Sequence, residues 1–367
     1  MLVGIDASRA TADHPTGTET YSRRLIQALL ARESFHRFRL YFRDAPPAAL
    51  FRGGELRVMP FPRMWTHLRL SWEMVQHPPD VLFVPAHVLP PIHPCPSLVT
   101  IHDLGYLHFP RSHPWRQRLY LDLSTRWNAR AATHLLADSE ATRADLVTRY
   151  GVPAKKITVA YPGTDESLGP ICDVDAIQAA KARHDISGDY FLHLGTLQPR
   201  KNLHRLVEAF AEFVARHSPS GIQLVLAGKR GWLYDDLFRQ VQRLGLDERV
   251  CFPGYIAEED KATLLSGALV CAFPSLYEGF GLPVLEAQAC GCPVITSTTS
   301  SLPEVAGDGA LLVDPEDTAA IANAMQRITT EPELCDELTE RGFANASRFS
   351  WESCAGTVLK AIEDHLC

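Results

Sequence analysis

Two glutamates, Glu278 and Glu286, stand eight positions apart in the stretch YEGFGLPVLEA. The apolar run LVCAFPS before them is typical of a buried strand, and Pro283 indicates a helix that begins just after the glycine turn. This pattern predicts Glu278 in the turn and Glu286 in the first turn of the helix. Because carboxylate oxygens accept hydrogen bonds from vicinal hydroxyls, two of them here could hold a hydroxyl-rich ligand.

The same residues allow a simpler interpretation. Glu278 could be a solvated turn residue, and Glu286 could complement the positive N-terminus of the helix, an effect of about 0.3–1 kcal/mol. In the alternative, the turn at Phe280 and Gly281 directs backbone N–H groups at an anionic ligand beyond the carboxyl end of the strand. The stretch by itself leaves both interpretations open.

Polar residues and glycines also follow other predicted strands. Residues 196–201 follow YFLHLG, His102 and Asp103 follow SLVTI, and Gly17 follows the first strand at the start of a helix. Open parallel sheets bind their ligands outside the carboxyl ends of the strands. We therefore expect these residues to gather along one edge of each sheet, with Glu278 among them.

Apolar strands alternate with amphipathic helices along the chain. The front half has strands such as LVGID and SLVTI, and the back half repeats the plan with YFLHLGT, IQLVLAG and PVITST. Strands that are apolar throughout and separated by helices indicate parallel sheets covered on both faces. We expect an α/β protein with two Rossmann-like domains that face each other across a cleft.

The length of 367 residues suits two domains. We place the first at residues 1–167 and the second at residues 168–349. A segment rich in Pro, Gly and acidic residues predicts a linker near residues 163–188. We expect a C-terminal helix, over about residues 350–367, to pack back on the first domain.

The composition excludes several classes of protein. Hydrophobic residues make up 46% and charged residues 22%, as in ordinary globular proteins. The net charge is −7, and residues 1–167 hold 20 Lys and Arg against 15 Asp and Glu. The acidic total argues against nucleic-acid binding, whereas the electropositive front half could attract a lipid phosphate or a membrane surface.

The N-terminal sequence MLVGIDASRA lacks a secretory pattern, and no apolar stretch reaches the length of a membrane span. We expect a cytoplasmic protein, with peripheral contact at the inner face of the cell membrane as a further option. Nine cysteines are scattered among apolar neighbours without a Cys-x-x-Cys pair, which favours core positions in a reducing compartment. Cys290 and Cys292 lack a second ligand pair, so we predict no metal site.

The sequence resembles glycosyltransferase family 4, the retaining nucleotide-sugar transferases of GT-B fold. The resemblance rests on PTGTETYSRRL, VTIHDLGYLHFP, FLHLGTLQPRKNLHRLVEAF and, above all, FPSLYEGFGLPVLEAQACGCPVITS. In the last stretch, Glu278 and Glu286 have the family's Glu-x7-Glu spacing. The similarity spans nearly the whole chain, and the front stretches look most like the branch that contains bacterial O-antigen mannosyltransferases.

The resemblance implies three catalytic residues. Glu278 would contact hydroxyls of the donor sugar, His102 would touch that sugar from the front domain, and Lys201 would neutralise the diphosphate. A cation fixed there would stabilise the charge that grows on the leaving group. A solvated lysine at 201 and a structural histidine at 102 are the simpler alternatives, and we interpret His193 as a core residue.

The resemblance also implies a set of donor-binding residues. Glu286 would bind the nucleotide ribose, and backbone N–H groups would come from Phe280, Gly281 and Leu282. In the front loop, Gly17 matches one of two family glycines and Thr16 replaces the other. Thr196 stands where many relatives have Arg, and Arg200 would take over that charge. The donor-binding set is Gly17, Thr196, Arg200, Lys201, Phe280, Gly281, Leu282 and Glu286.

The reaction implied is transfer of a sugar from a nucleotide diphosphate to an acceptor hydroxyl with retained anomeric configuration. GDP-mannose is favoured over a UDP-sugar as the co-substrate, no cofactor or metal is expected, and the acceptor would be a glycan or a lipid-linked glycan. Rival interpretations are glycoside hydrolysis or phosphorolysis, and a binding module without activity. An NAD dehydrogenase is disfavoured because Gly-x-Gly-x-x-Gly is absent after the first strand.

Two segments of the front half combine aromatic and basic residues. They are FPRMWTHLRLSW at residues 61–72 and FPRSHPWRQRLYLDLSTRW at residues 109–127. A membrane-surface patch and ordinary amphipathic packing explain them equally well. The candidate contact residues are Trp65, Trp72, Trp115, Arg116 and Arg118.

Overall fold

The computed structural model describes residues 1–12, 16–47, 49–86, 88–110, 114–217, 221–229, 231 and 234–366. The chain divides into two compact units, of which one comprises Met1–Gly163 and Phe349–Cys367 and the other Thr164–Arg348. Each unit contains one parallel sheet, with helices between most of the consecutive strands. This confirms the prediction of an α/β protein with two Rossmann-like domains.

In the first unit, the described strands form a seven-stranded sheet of order β3-β2-β1-β4-β5-β6-β7. The strands are β1 (Leu2–Asp6), β2 (Arg37–Phe42), β3 (Glu55–Val58), β4 (Val81–Val84), β5 (Ser97–Ile101), β6 (His134–Ala137) and β7 (Ile157–Val159). The helices are α1 (Gly17–Ala31), a π-helix (Trp65–Leu70) that runs into α2 (Ser71–Gln76), α3 (Gly105–His108), α4 (Trp115–Ala131), α5 (Glu140–Tyr150) and a 3-10 turn (Ala154–Lys156).

In the second unit, the described strands form a six-stranded sheet of order β10-β9-β8-β11-β12-β13. The strands are β8 (Tyr190–Leu194), β9 (Gln223–Ala227), β10 (Val250–Gly254), β11 (Val270–Phe273), β12 (Val294–Ser297) and β13 (Leu311–Val313). The helices are α6 (Val174–Arg183), a 3-10 turn (Pro199–Lys201), α7 (Leu203–His217), α8 (Tyr234–Arg243), α9 (Glu258–Ser266), α10 (Leu282–Ala289), α11 (Leu302–Ala306), α12 (Thr318–Thr330) and α13 (Pro332–Ala346).

Local sequence signals explain where several helices begin. The Glu19 carboxylate accepts a hydrogen bond from the Thr16 backbone N–H at 2.8 Å, which is one bond of a capping box before α1. The hydroxyl of Ser139 accepts from the N–H of Thr142 at the start of α5. Both helices therefore begin where a side chain satisfies a backbone group of the first turn.

The predicted linker near residues 163–188 is wrong in its middle part, which forms α6. The Asp173 carboxylate caps this helix by accepting from the N–H groups of Asp175 and Ala176 at 3.0 and 3.2 Å. The acidic residues that suggested a loop therefore begin a helix, because a short carboxylate side chain satisfies the first backbone donors.

The C-terminal helix α14 (Trp351–Leu366) belongs to the first unit. Trp351, Cys354, Val358 and Ile362 are buried in the same core cluster as residues of β1 and α1. A Cβ at Gly163 would lie 2.1 Å from the backbone nitrogen of Trp351, so the departing and returning chain segments touch there. The chain passes between the units at 163/164 and 348/349, and the predicted boundaries at 167/168 and 349/350 lie within four residues of these.

The order of each sheet reverses direction at one point. In the second unit, β8 pairs with β9 on one side and with β11 on the other. Loops after such neighbouring strands diverge to opposite faces and leave a crevice at the carboxyl edge. Among the described residues, none of the helices combines the length and the apolar character that a membrane span requires.

Candidate functional site

The switch point of the second sheet brings together residues that are about 80 positions apart in sequence. The 3-10 turn with Arg200 and Lys201 follows β8, and the turn with Glu278 follows the adjacent strand β11. The N–H of Leu276 donates to the Arg200 carbonyl oxygen at 3.0 Å, which joins the two turns through their backbones. The predicted edge of the sheet therefore gathers these three side chains.

Glu278 forms a buried ion cluster with both basic residues. Its side chain accepts from the Lys201 ammonium at 2.7 Å and from the Arg200 guanidinium at 3.0 Å. Glu278 is only 6% exposed and Lys201 only 8%. The interpretation of Glu278 as a solvated turn residue is therefore wrong. Charged side chains are rarely buried unless an opposite charge compensates them, and here Lys201 and Arg200 compensate Glu278.

Two cations around one carboxylate set the charge of the cluster. Burial alone would raise the pKa of Glu278, but the charges of Arg200 and Lys201 and the hydrogen bond from Lys201 lower it from 4.5 to about 2. The glutamate is therefore ionised at neutral pH. With two positive charges and one negative, the cluster retains a net positive charge that suits an anionic ligand.

We expect protonation of Glu278 in acid to lower the free energy of unfolding by about 3 kcal/mol. Its pKa is lower in the folded protein, at about 2, than its ordinary value of 4.5. The stabilisation is therefore complete above pH 4.5 and is lost as the pH falls towards 2. Urea unfolding at pH 6, 4.5 and 3.5 should show a steeper decline for the unmodified protein than for E278Q. Parallel declines would contradict the assignment.

Three polar residues that the sequence analysis missed fix the two turns. The Asn202 side-chain amide donates to the carbonyl oxygens of Pro274 and Pro315, at 3.0 and 2.7 Å. The Ser300 hydroxyl accepts from the N–H of Glu278 at 3.0 Å, and the Ser301 hydroxyl lies 3.0 Å from the Glu278 carbonyl oxygen. Asn202 has a left-handed backbone (φ 61°), a conformation that Asn tolerates, so its residue type was a sequence-level hint of a turn at this position.

Glu286 lies in the second turn of α10, not in the first turn as predicted, because the helix starts at Leu282. Its carboxylate accepts from the Lys261 ammonium at 3.0 Å, and Lys261 also contacts Glu258 at 2.9 Å. Burial would lower the pKa of Lys261, but the two carboxylates outweigh it and raise the pKa. Glu286 is therefore oriented by a lysine of α9, rather than by the helix N-terminus.

The glycine turn that precedes α10 has the predicted form. Gly281 precedes the helix with φ 118°, a conformation that favours glycine, and a Cβ there would lie 2.8 Å from Leu302 Cδ2. Phe280 is buried and Leu282 is the first residue of α10. The donor-contacting role of the backbone N–H groups of Phe280, Gly281 and Leu282 stays a prediction.

Thr196 follows Gly195 in the loop after β8, where relatives were expected to have Arg. The N–H of Leu197 donates to the carbonyl oxygen of Lys229 at 2.9 Å, which ties this loop to the one after β9. Arg200 donates to the Tyr277 carbonyl oxygen at 2.6 Å in addition to contacting Glu278. Arg200 therefore places a positive charge beside Glu278, while the donor-binding roles of Arg200 and Thr196 stay predictions.

His102 lies in the first unit with both ring nitrogens engaged. Nδ1 is 2.7 Å from the Asp138 carboxylate and Nε2 is 2.9 Å from the Pro85 carbonyl oxygen. Because a carbonyl oxygen only accepts, Nε2 carries hydrogen, and protonation of Nδ1 as well would pair the ring with the Asp138 carboxylate. Burial opposes this, but Asp138 and the Pro85 carbonyl outweigh it and raise the pKa of His102. Contact with a donor sugar through a ring nitrogen would require one of these bonds to open, so that role stays a prediction.

Gly17 is the first residue of α1, and a Cβ there would meet no described atom within 4 Å. Packing within the described residues therefore does not require glycine at this position. Its predicted role beside the diphosphate stays a prediction. Cys290 and Cys292 are buried core residues, and no group of three or more potential metal-binding side chains occurs among the described residues.

The aromatic-basic segments divide into buried and exposed parts. Trp65 is buried and donates from Nε1 to the Met59 carbonyl oxygen at 2.8 Å, so its predicted place in a surface patch is wrong. Trp72 and Trp115 are 62% and 66% exposed. Arg116 and Arg118 are exposed as well.

Comparisons with known proteins show similarity along both units of the chain. The model of the family Glycosyltransferase Family 4 matches residues 15–168, and the model Glycosyl transferases group 1 matches residues 176–344. The chain is 31% identical to the O-antigen chain mannosyltransferase B of Escherichia coli over 267 residues, which cover 73% of this chain and 70% of that protein.

Two further proteins show how widely the similarity extends. A D-inositol 3-phosphate glycosyltransferase of Rhodococcus opacus is 33% identical over 233 residues, which cover 62% of this chain and 52% of that protein. The crystal structure of Anabaena HepE in complex with UDP-glucose superposes with a TM-score of 0.78 at 20% identity, over 99% of both chains. These matches, with the two Rossmann-like sheets, show that the chain belongs to glycosyltransferase family 4 and has the GT-B fold.

Proposed function

We propose that the protein transfers mannose from GDP-mannose to an acceptor hydroxyl, with retention of the anomeric configuration. The observation that carries this proposal is the buried cluster of Glu278 with Lys201 and Arg200 at the switch point of the second sheet. The choice of mannose is supported by the 31% identity to an E. coli O-antigen mannosyltransferase. A glycan or lipid-linked glycan of polysaccharide, O-antigen or glycolipid assembly would be the acceptor.

In the proposed reaction, the bond between the anomeric carbon and the diphosphate oxygen breaks, and a bond from that carbon to the acceptor oxygen forms on the same face. The acceptor hydroxyl gives its proton to the departing diphosphate oxygen. Lys201 and Arg200 would stabilise the negative charge that grows on that oxygen. Glu278 would meanwhile accept hydrogen bonds from hydroxyls of the sugar and hold the two cations in place.

We further propose that the reaction needs no metal ion. The two cations are fixed beside one carboxylate, and their net positive charge can take the electrostatic part that Mg²⁺ plays at other diphosphate sites. Turnover should therefore persist in excess EDTA. A loss of turnover that added Mg²⁺ or Mn²⁺ restores would contradict metal independence, without affecting the proposed transfer itself.

A thermal-shift screen against GDP-mannose, GDP, UDP-glucose and UDP tests the choice of donor. We expect GDP-mannose at about 100 times its Kd to stabilise the protein by about 2.7 kcal/mol, and UDP-glucose to stabilise it much less. A preference for UDP compounds would favour a UDP-sugar transferase, an alternative supported by the HepE neighbour that was crystallised with UDP-glucose. Donor binding without any turnover would favour a nucleotide-sugar-binding module, and an α-linked product would support retention.

The acceptor side of the proposal includes a membrane surface. Exposed apolar side chains lie on α4 at four-residue spacing, and others lie on the π-helix and on α2. The hydroxyl of Ser71 accepts from the N–H of Ile92, and Trp127 Nε1 donates to the Leu89 carbonyl oxygen, so residues 89–92 join α2 to α4. We call this surface the apolar patch, and it comprises Met64, Leu68, Trp72, Ile92, Trp115, Leu119 and Leu123. Arg116 and Arg118 at its edge would suit anionic lipid.

Replacing Trp115 and Leu119 together with serine is expected to weaken binding to anionic vesicles at least tenfold. Each apolar side chain transferred from water contributes about 1.5–3 kcal/mol, and about 1.4 kcal/mol corresponds to a factor of ten. Co-sedimentation with vesicles of mixed phosphatidylglycerol and phosphatidylcholine measures the change. Phe35→Ser is the matched control, since Phe35 is fully exposed in the same unit but outside the apolar patch. Equal vesicle binding by the double variant and the control would refute membrane contact.

A further inference from the structure

His193 is a buried residue of β8 whose ring extends towards the candidate site. It has no exposed surface, and its ring stacks on Phe273 of β11 with centroids 5.4 Å apart. Nδ1 lies 3.0 Å from the carbonyl oxygen of Ala272 on the same neighbouring strand. The ring is therefore held in one orientation by stacking on one side and by a hydrogen bond at one nitrogen.

These contacts decide which nitrogen carries the proton. A carbonyl oxygen only accepts, so Nδ1 must donate and therefore bears hydrogen. Burial is the main cause that lowers the pKa of His193, to about 4, so the ring is neutral at pH 7. Nε2 is then an acceptor, and within the described residues it has no hydrogen-bond partner. An unsatisfied buried acceptor next to a binding site calls for an explanation.

The space in front of Nε2 is bounded by Gly195 and Lys201. A Cβ on Gly195 would lie 3.6 Å from His193 Nε2 and 3.9 Å from Lys201 Nζ. Because glycine has no side chain, an acceptor and a cationic donor border the same open side of its Cα. Gly195 is partly exposed, so this space can be reached from the carboxyl edge of the sheet.

We propose that His193 Nε2 and Lys201 Nζ form a binding site for one hydroxyl group of the donor, on the open side of Gly195. A hydroxyl donates a hydrogen bond to Nε2 and accepts one from the ammonium, so one hydroxyl satisfies both groups. A phosphate oxygen does not fit this site, because its lone pairs would face the lone pair of Nε2. His193 is therefore a specificity-determining residue that distinguishes a hydroxyl from the diphosphate beside it. The inference rests on the proposed function.

Two sources could supply the hydroxyl, the transferred sugar and the ribose. Nitrogen-15 NMR of the histidine side chains in the unmodified protein distinguishes them. The two ligands compared are GDP-mannose and GDP. If the thermal-shift screen selects uridine compounds, UDP-glucose and UDP replace them. Movement of the Nε2 resonance of His193 with the nucleotide sugar alone assigns the site to the sugar, and movement with both assigns it to the ribose. A resonance that moves with neither ligand, while both bind, would overturn the proposal.

His193→Asn and His193→Gln form a matched pair for kinetics. Asparagine keeps a donor near the Ala272 carbonyl but lacks an atom at Nε2, whereas glutamine places a polar atom close to Nε2. We expect H193N to lower kcat/KM about tenfold, the effect of one buried hydrogen bond. H193Q should retain more activity than H193N. Turnover by H193N equal to that of the unmodified protein would refute the site.

The outcomes separate this inference from the proposed function. If the unmodified protein neither binds nor turns over a nucleotide sugar, the proposed function fails. The unmodified protein could be active while H193N loses affinity for the sugar donor and for orthophosphate by the same factor. In that case His193 acts only by positioning Lys201, and the hydroxyl site is refuted. We expect orthophosphate affinity to be unchanged, because its contacts would be with Lys201 and Arg200.

Discussion

E278Q is expected to lower kcat at least 100-fold and, at the same time, to tighten binding of free GDP about tenfold. The two effects have one cause. The Glu278 carboxylate binds the Lys201 ammonium at 2.7 Å and the Arg200 guanidinium at 3.0 Å. In the unliganded protein it therefore competes with any phosphate for both cations. Glutamine removes the competing charge, and it also removes the anion that would support positive charge developing on the sugar.

Stability should fall in the same variant. Removing one member of a buried ion cluster leaves uncompensated charge and typically costs 3–5 kcal/mol. Because GDP would replace the missing negative charge, saturating GDP should restore more stability to E278Q than to the unmodified protein. Urea unfolding with and without GDP, together with calorimetric titration of GDP, measures both effects.

Glu73→Gln provides the matched control for these measurements. Glu73 is a buried glutamate of the first unit whose carboxylate also contacts two arginines, Arg57 at 3.0 Å and Arg69 at 3.1 Å. E73Q should therefore lose stability as E278Q does, while its kcat and its GDP affinity stay within twofold. If E73Q and E278Q lose the same fraction of kcat, the role assigned to Glu278 is only structural.

The fold and the edge that carries the site were accessible from sequence because both depend on local patterns. Uniformly apolar runs such as LVCAFPS mark strands covered on both faces, and the turn with Gly281 marks the passage from β11 to α10. Once the sheets are parallel, all residues that follow strands lie at one edge. The clustering of Lys201 with Glu278 follows from that geometry, with only the strand order left undetermined.

The pairings inside the site were not accessible in the same way. The ion pair of Glu286 with Lys261 depends on how α9 packs beside α10. The sequence of α9 contains several charged residues, and it does not indicate which of them pairs with Glu286. Glu286 was expected in the first helical turn, but the helix begins one residue before Pro283, at Leu282, which places Glu286 in the second turn. The π-helix before α2 was likewise not predictable, since its sequence WTHLRL contains neither Gly nor Pro to mark an irregular helix.

His193 shows a different limit of sequence analysis. Its position in an apolar strand predicts a core residue, and the structure confirms full burial. Only the coordinates show that Nδ1 is taken by Ala272 while Nε2 has no partner within the described residues. Burial can be read from a pattern, but the satisfaction of a polar atom cannot, because it depends on residues of a neighbouring strand.

Lys201→Met is expected to lower kcat by about 100- to 1000-fold, the range seen when a fixed group that stabilises a developing oxyanion is removed. Lys201 is 8% exposed and its ammonium lies 4.7 Å from the centre of the Phe273 ring, so water cannot easily replace it. Lysine 181 offers a matched control. It is also 8% exposed and lies 5.9 Å from the Tyr190 ring, but it belongs to α6 and is not a site residue.

The decisive comparison is the direction in which GDP affinity changes. K201M removes a cation, so it should bind GDP more weakly. E278Q removes the competing anion, so it should bind GDP more tightly. K181M should change neither GDP affinity nor kcat by more than about twofold. Damage to the shared ion pair alone would move both site variants in the same direction. Calorimetric titration of the three variants under one buffer condition therefore separates an electrostatic role in leaving-group binding from simple loss of structure.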